Sequence, residues 1–82
     1  MKKTPRIVIA INGHVFTGNY TTNNIGVTLT EAACIRVWGT ANGLGQLALS
    51  GPTKDTILDR CGVVEIPWSA VIASIPCANA LL

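Results

Sequence analysis

Between Val27 and Gly51 the chain reads VTLTEAACIRVWGTANGLGQLALSG, and this order of an extended segment, a turn and a helix constrains every fold open to it. Residues that favour strands gather in Val27-Thr28-Leu29-Thr30 and again from Cys34 to Trp38. Glu31-Ala32-Ala33 lies between them as a bend, so the segment reads as two short strands or one kinked strand. Gly39-Thr40-Ala41-Asn42 then breaks the extended pattern. Leu44, Leu47 and Ala48 recur at helical spacing until Gly51-Pro52 stops the helix.

The remaining segments read as strands. Arg6 to Ile11 is a near-continuous apolar, β-branched run, which implies burial on both faces or contact with a partner. Asn12-Gly13 marks a hairpin, because both turn residues of the favoured type need positive φ. In the returning strand, His14 to Tyr20, Val15 and Thr17 make an aliphatic face, while His14, Phe16 and Gly18 make a mixed one. Residues 51–62 read as loop, with one helical turn available to Lys54–Arg60. Val63 to Ile66 forms a strand ended by Pro67, and Trp68 to Ile75 a last strand closed by Pro76. Residues 1–5 and 78–82 read as frayed ends of a single domain. The expected class is mainly β with one short helix (α+β), a small β-barrel or roll with the helix at one end. The rival is an open α+β sandwich with the helix on one face.

A chain of 82 residues buries a modest fraction of its surface. Yet 49% of its residues are hydrophobic and only 12% charged, against about 25% charged in a usual soluble domain. One small core cannot hide that much apolar side chain, so a homo-oligomer is expected. The net charge of +2 has no basic run beyond the first residues, which argues against duplex nucleic acid as a partner. The apolar run after Met1-Lys2-Lys3 is too short for a signal sequence or a membrane span, so no membrane partner is expected and the location is read as cytoplasmic.

Cys34, Cys61 and Cys77 are widely spaced and accompanied by one histidine, His14, which disfavours a disulfide framework and a zinc site. Three reduced, mostly buried thiols are expected, with no metal and no cofactor. Gly43-Leu44-Gly45-Gln46-Leu47-Ala48 satisfies the G-x-G-x-x-A pattern. Only about thirty residues follow it, too few for the paired βαβαβ halves of a dinucleotide fold. Lys54 in Gly51-Pro52-Thr53-Lys54 lacks the spacing of a phosphate loop. His14 with Asp55 or Asp59 is the acid–base inventory, and nothing clusters it, so no enzyme is expected.

The stretch from Val27 to Gly51 resembles a family of small bacteriophage and prophage proteins classed as a domain of unknown function. The matching pieces are Val27 to Thr30, Ala32, Ile35, Trp38, Ala41, Leu44, Gln46, Leu47, Ala48 and Gly51, together with Ile75-Pro76-Cys77 at the end. Ala33 and Cys34 stand where that pattern carries two arginines, and Arg36 stands where it carries an aromatic. By analogy with small phage proteins that act on host defences, the resemblance implies an oligomeric module in the host cytoplasm that sequesters a nucleotide-like immune signal. The candidate site combines stacking by Trp38 or Tyr20, charge from Arg36, Lys54 and Arg60, and hydrogen bonds from Thr40, Asn42 and the helix amides at a subunit interface. The alternative is a module that inhibits or scaffolds a host or virion protein through a strand edge or the apolar tail. Light scattering on the purified chain is expected to return a multiple of 8.6 kDa; a single chain mass at all concentrations would contradict the oligomer.

Overall fold

The computed structural model describes residues 4–82. Five strands form one antiparallel sheet: β1 (Pro5–Ala10), β2 (Val15–Thr22), β3 (Gly26–Val37), β4 (Ile57–Pro67) and β5 (Val71–Pro76). Their spatial order is β4-β3-β2-β1-β5. One helix, α1 (Gly43–Ser50), lies between β3 and β4 in the chain. The class is therefore mainly β with one helix. The edge strands β4 and β5 do not pair with each other, so the sheet is open and not a closed barrel.

The apolar run of β1 is explained by its neighbours on both sides and layers on both faces. Ile7 and Val8 are each fully buried, and they belong to two different clusters. Asn12 and Gly13 turn the chain into β2 with φ of 63° and 76°, as an Asn-Gly hairpin requires.

β3 is a single kinked strand. At its bend Glu31 has φ of 50°, and the pairing with β4 shifts between Leu29 and Ala33. On one side, β2 has an irregularity at the same level, with Gly18 skipped between Thr17 and Asn19. On the other, Gly62 of β4 has φ of 81°. Three neighbouring strands thus turn along one line. A side chain at Gly18 would press on the Thr30 carbonyl, 3.0 Å from where its Cβ would sit, and on Leu29 Cβ at 3.1 Å.

Beyond this corner the sheet folds back over itself. β1 and β3 are not adjacent, yet Val8 and Ala10 share a buried cluster with Val27, Leu29, Ala32 and Ile66. The link from β4 to β5 demands the same geometry. Edges of a flat five-stranded sheet lie about 19 Å apart at ~4.8 Å per strand, whereas the four steps from Pro67 to Val71 span at most about 14 Å. The other face of β1 is closed by α1 and the C-terminal residues. There Ile7, Val15 and Ile35 pack with Leu44, Leu47, Ala48 and Leu81.

Three expectations are corrected. Ile57–Arg60 is strand rather than a helical turn, because β3 continues past the corner and offers Ala33 to Val37 as a partner. Trp68–Ala70 is a short 3-10 turn rather than the start of the last strand, since the chain must cross there from one sheet edge to the other. Residues 78–82 are not frayed: Ala78 N–H donates to the Ala48 carbonyl, and Leu81 is 7% exposed. Of residues 1–5, the first three lie outside the described residues, and Pro5 opens β1. Among the described residues no helix is long and apolar enough to cross a membrane.

Gly26 runs so close to β4 that a Cβ there would collide with the Ile66 carbonyl and Pro67 Cα. Gly26→Ala is expected to cost about 2–3 kcal/mol, seen as a fall in Tm of about 10–20 °C in a circular-dichroism melt; an unchanged melt would contradict this strand contact.

Candidate ligand-binding face

The fold-back covers only part of one sheet face, and the uncovered part carries a group of aromatic and charged side chains. β2 supplies Phe16 and Tyr20, which share this face because side chains alternate, with Tyr20 level with Leu29 on the inner side, and His14 stands just before the strand. Phe16 and Tyr20 mark the border: both are half-buried against the Val8–Leu29 cluster. His14 is exposed and stacks on Phe16, with ring centroids 6.2 Å apart and planes 10° from parallel.

Cations flank the rings. Arg6 of β1 lies over the Tyr20 ring, 5.0 Å from its centroid, and donates to Ser74 Oγ of β5 at 3.0 Å. Phe16 is paired with Cys34 in β3, and Arg36 follows Cys34 by two residues on the same face of that strand. Arg36 donates through Nε and a terminal nitrogen to both carboxylate oxygens of Asp59 in β4, at 2.9 and 3.3 Å. Both side chains are exposed, so this pair is worth about 1 kcal/mol or less.

A second group sits where β3 gives way to α1. Trp38 is 44% exposed, and its ring edge lies over Gly43. Threonine hydroxyls hold the backbone around it: Thr56 donates to the Trp38 carbonyl, Thr53 to the Gly39 carbonyl and Thr40 to the Gly43 carbonyl. Gly39 has φ of 67° and touches the 55–56 backbone, leaving no room for a side chain. Asn42 N–H donates to Gln46 Oε1 as the helix begins. Lys54 is exposed in the loop clasped to this corner.

The seven residues singled out in the sequence therefore fall into three places. Tyr20 and Arg36 belong to the aromatic face; Trp38, Thr40, Asn42 and Lys54 gather at the helix entry. Arg60 stands apart, lining an open hollow of about 320 Å³ with Glu31, Ala32, Gly62 and Leu82. It is not the partner of the adjacent Asp59, whose carboxylate is taken by Arg36 across the strands. Arg6, His14 and Phe16 were not among the seven. For His14 and Phe16 the one sequence signal was the mixed face of the returning strand, and Arg6 carried none.

No protein-family model, no curated protein and no solved structure matches this chain. Its function must be argued from the residues themselves. Among the described residues no group of three or more His, Cys, Asp or Glu side chains is arranged to hold a metal ion.

The cysteines differ from one another. Cys61 is exposed on edge strand β4 beside the corner, contrary to the expectation of mostly buried thiols, and donates to the Asp59 carbonyl at 3.2 Å. Burial pushes the Cys34 thiol up, helped by nearby Cys61 and Asp59 and opposed by Arg36. Burial also pushes up Cys77, with Thr17 and Arg6 pulling the other way. A folded-state thiol pKa above its unfolded value gives stability that is complete below pH 9.0 and is lost as pH rises further. A native protein treated with a thiol reagent near neutral pH is expected to label at Cys61 first, and its stability to decline above pH 9.0. Labelling led by Cys77 would contradict this order.

Proposed function

We propose that this chain is a binding module that captures a small planar anion of nucleotide type, without turnover, on the open part of its sheet. The observation that carries the reading is the near-parallel His14 and Phe16 pair, ring centroids 6.2 Å apart, beside the strand that carries Cys34 and Arg36. A heteroaromatic base stacks on such rings regardless of its identity, for about 1–3 kcal/mol per base. The guanidinium supplies a planar fork for phosphate. Capture needs no acid–base pair, and the Asp59 carboxylate is engaged by Arg36 rather than by His14.

Assembly of several copies belongs to the same proposal. It is supported by the low charge and by apolar side chains left in solvent, among them Ile25, Leu49, Val63 and Ile72. The resemblance to phage proteins supports sequestration of an immune signal in a host cytoplasm as the setting. A protein partner is the second reading, favoured by Ile25, which is 78% exposed beside the half-exposed Trp68. Leu81 lies in the core, which leaves Leu82, 44% exposed, as the large apolar side chain the tail offers to such a partner.

Calorimetry against cyclic dinucleotides, cyclic trinucleotides and ADP-ribose derivatives is expected to give saturable binding, with Phe16→Ala weakening it about tenfold or more. The absence of binding to any of them, or binding indifferent to Phe16→Ala, would contradict the proposal.

A further inference from the structure

The corner that folds the sheet also brings two thiols together. In the ladder between β3 and β4, Cys34 pairs with Asp59 and Ala33 with Arg60, but Ala32 pairs with Gly62. Two steps along β4 therefore answer one step along β3, and Cys61 is the extra residue. In a regular ladder Cys61 would stand opposite Ala32, diagonal to Cys34 at about 7–8 Å. The bulge draws it back toward Cys34 by about half of the ~3.3 Å rise per residue. That brings the pair to the upper end of the span of about 4.4–6.8 Å between Cα atoms that a disulfide bridges.

The side chain is held on the near side. Cys61 Sγ donates to the Asp59 carbonyl at 3.2 Å, and Asp59 is the residue directly opposite Cys34. The two thiols act on each other, since Cys61 is among the groups that push the Cys34 thiol up. They also differ in access. Cys61 is exposed on an edge strand that β3 alone holds, and Cys34 is half-buried in the strand beside it. An oxidant therefore meets Cys61 first, with a shielded thiol next to it to complete the reaction. Cys77 stands elsewhere, beyond β5 and packed against the helix cluster.

We infer that Cys34 and Cys61 are a redox pair, which a hydroperoxide converts into a disulfide across the corner. The Cys61 sulfur attacks one peroxide oxygen; the O–O bond breaks, an alcohol or water leaves, and Cys61 becomes a sulfenic acid. The Cys34 sulfur then attacks the Cys61 sulfur, the S–O bond breaks, and water leaves with the Cys34 proton. Two thiols lose two electrons and one peroxide gains them. The bond closes a loop that contains α1 and ties β4 to β3 where their pairing is most irregular, so the oxidised chain is the more stable form. Cys34 is also the register partner of Phe16, which puts the bond beside the aromatic face.

The test treats the reduced full chain with hydrogen peroxide under native conditions and follows it by intact mass, peptide mapping and melts. The mass is expected to fall by about 2 Da, as the loss of two hydrogens requires. Two of the three cysteines are expected to stop reacting with a thiol reagent, with the map joining Cys34 to Cys61. The oxidised chain is expected to melt about 5–15 °C higher and to return to its starting Tm on reduction. Cys34→Ser and Cys61→Ser are expected to abolish the bond and Cys77→Ser to leave it intact. Mapping of the unaltered chain needs no variant, so it decides the matter even if a variant fails to fold. Sulfinic or sulfonic acid at Cys61 with Cys34 still a thiol would overturn the inference, as would a bond from Cys61 to Cys77 or to a second chain, or a lower Tm on oxidation.

Discussion

The whole molecule depends on one line of distortion that crosses three strands. Gly18 in β2, Glu31 in β3 and Gly62 in β4 lie at the same level of the sheet, each as a pairing irregularity or a positive φ. A regular sheet would leave one face of β1 in water. Turning at this line lays the far halves of β2, β3 and β4 across β1, and Val8 becomes fully buried without a second sheet or a second domain. The helix closes the opposite face with Leu44, Leu47 and Ala48, so a strand apolar on both sides is satisfied within one small chain.

The same corner creates the candidate site. The folded-back layer covers only part of the face, so β2 leaves cover partway along its length, and its half-buried aromatic residues stand at the border. Their inner edges pack against apolar side chains, which fixes their orientation, and their outer edges meet solvent. Rings held in this way lose little freedom when a planar ligand stacks on them. Cations come from the strands on either side, Arg6 from β1 and Arg36 from β3. Hydrophobic burial and the proposed capture of a ligand therefore draw on one deformation, and a change at the corner acts on both.

Features with local causes were legible in the sequence. Asn12-Gly13 sets its hairpin through positive φ, the helix ends at Gly51 where φ is 82°, and Glu31 marks the kink between two β-rich runs. What was not legible depends on partners distant in sequence. Ile57–Arg60 carries the composition of a loop or helical turn and becomes strand only because β3 reaches past the corner to pair with it. The ion pair of Arg36 with Asp59 spans twenty-three positions, so no local pattern announces it. For the site, Tyr20 and Arg36 stood out by residue type, whereas Arg6, His14 and Phe16 join them only through cross-strand register. Trp38, Thr40 and Asn42 follow one another along a single turn, and the Thr53 and Thr56 hydroxyls clasp the loop that carries Lys54 to it.

The fold-back is tested most directly by side-chain NOEs in solution, measured by NMR on the free protein. Contacts are expected between the methyl groups of Val8 or Ala10 and those of Val27, Leu29 or Ile66, residues that no flat sheet in the order β4-β3-β2-β1-β5 can bring together. Finding the β2–β3 and β3–β4 ladders intact while these methyl contacts are missing would show an unfolded-back sheet, and neither the buried face of β1 nor the bordered aromatic face would survive that result.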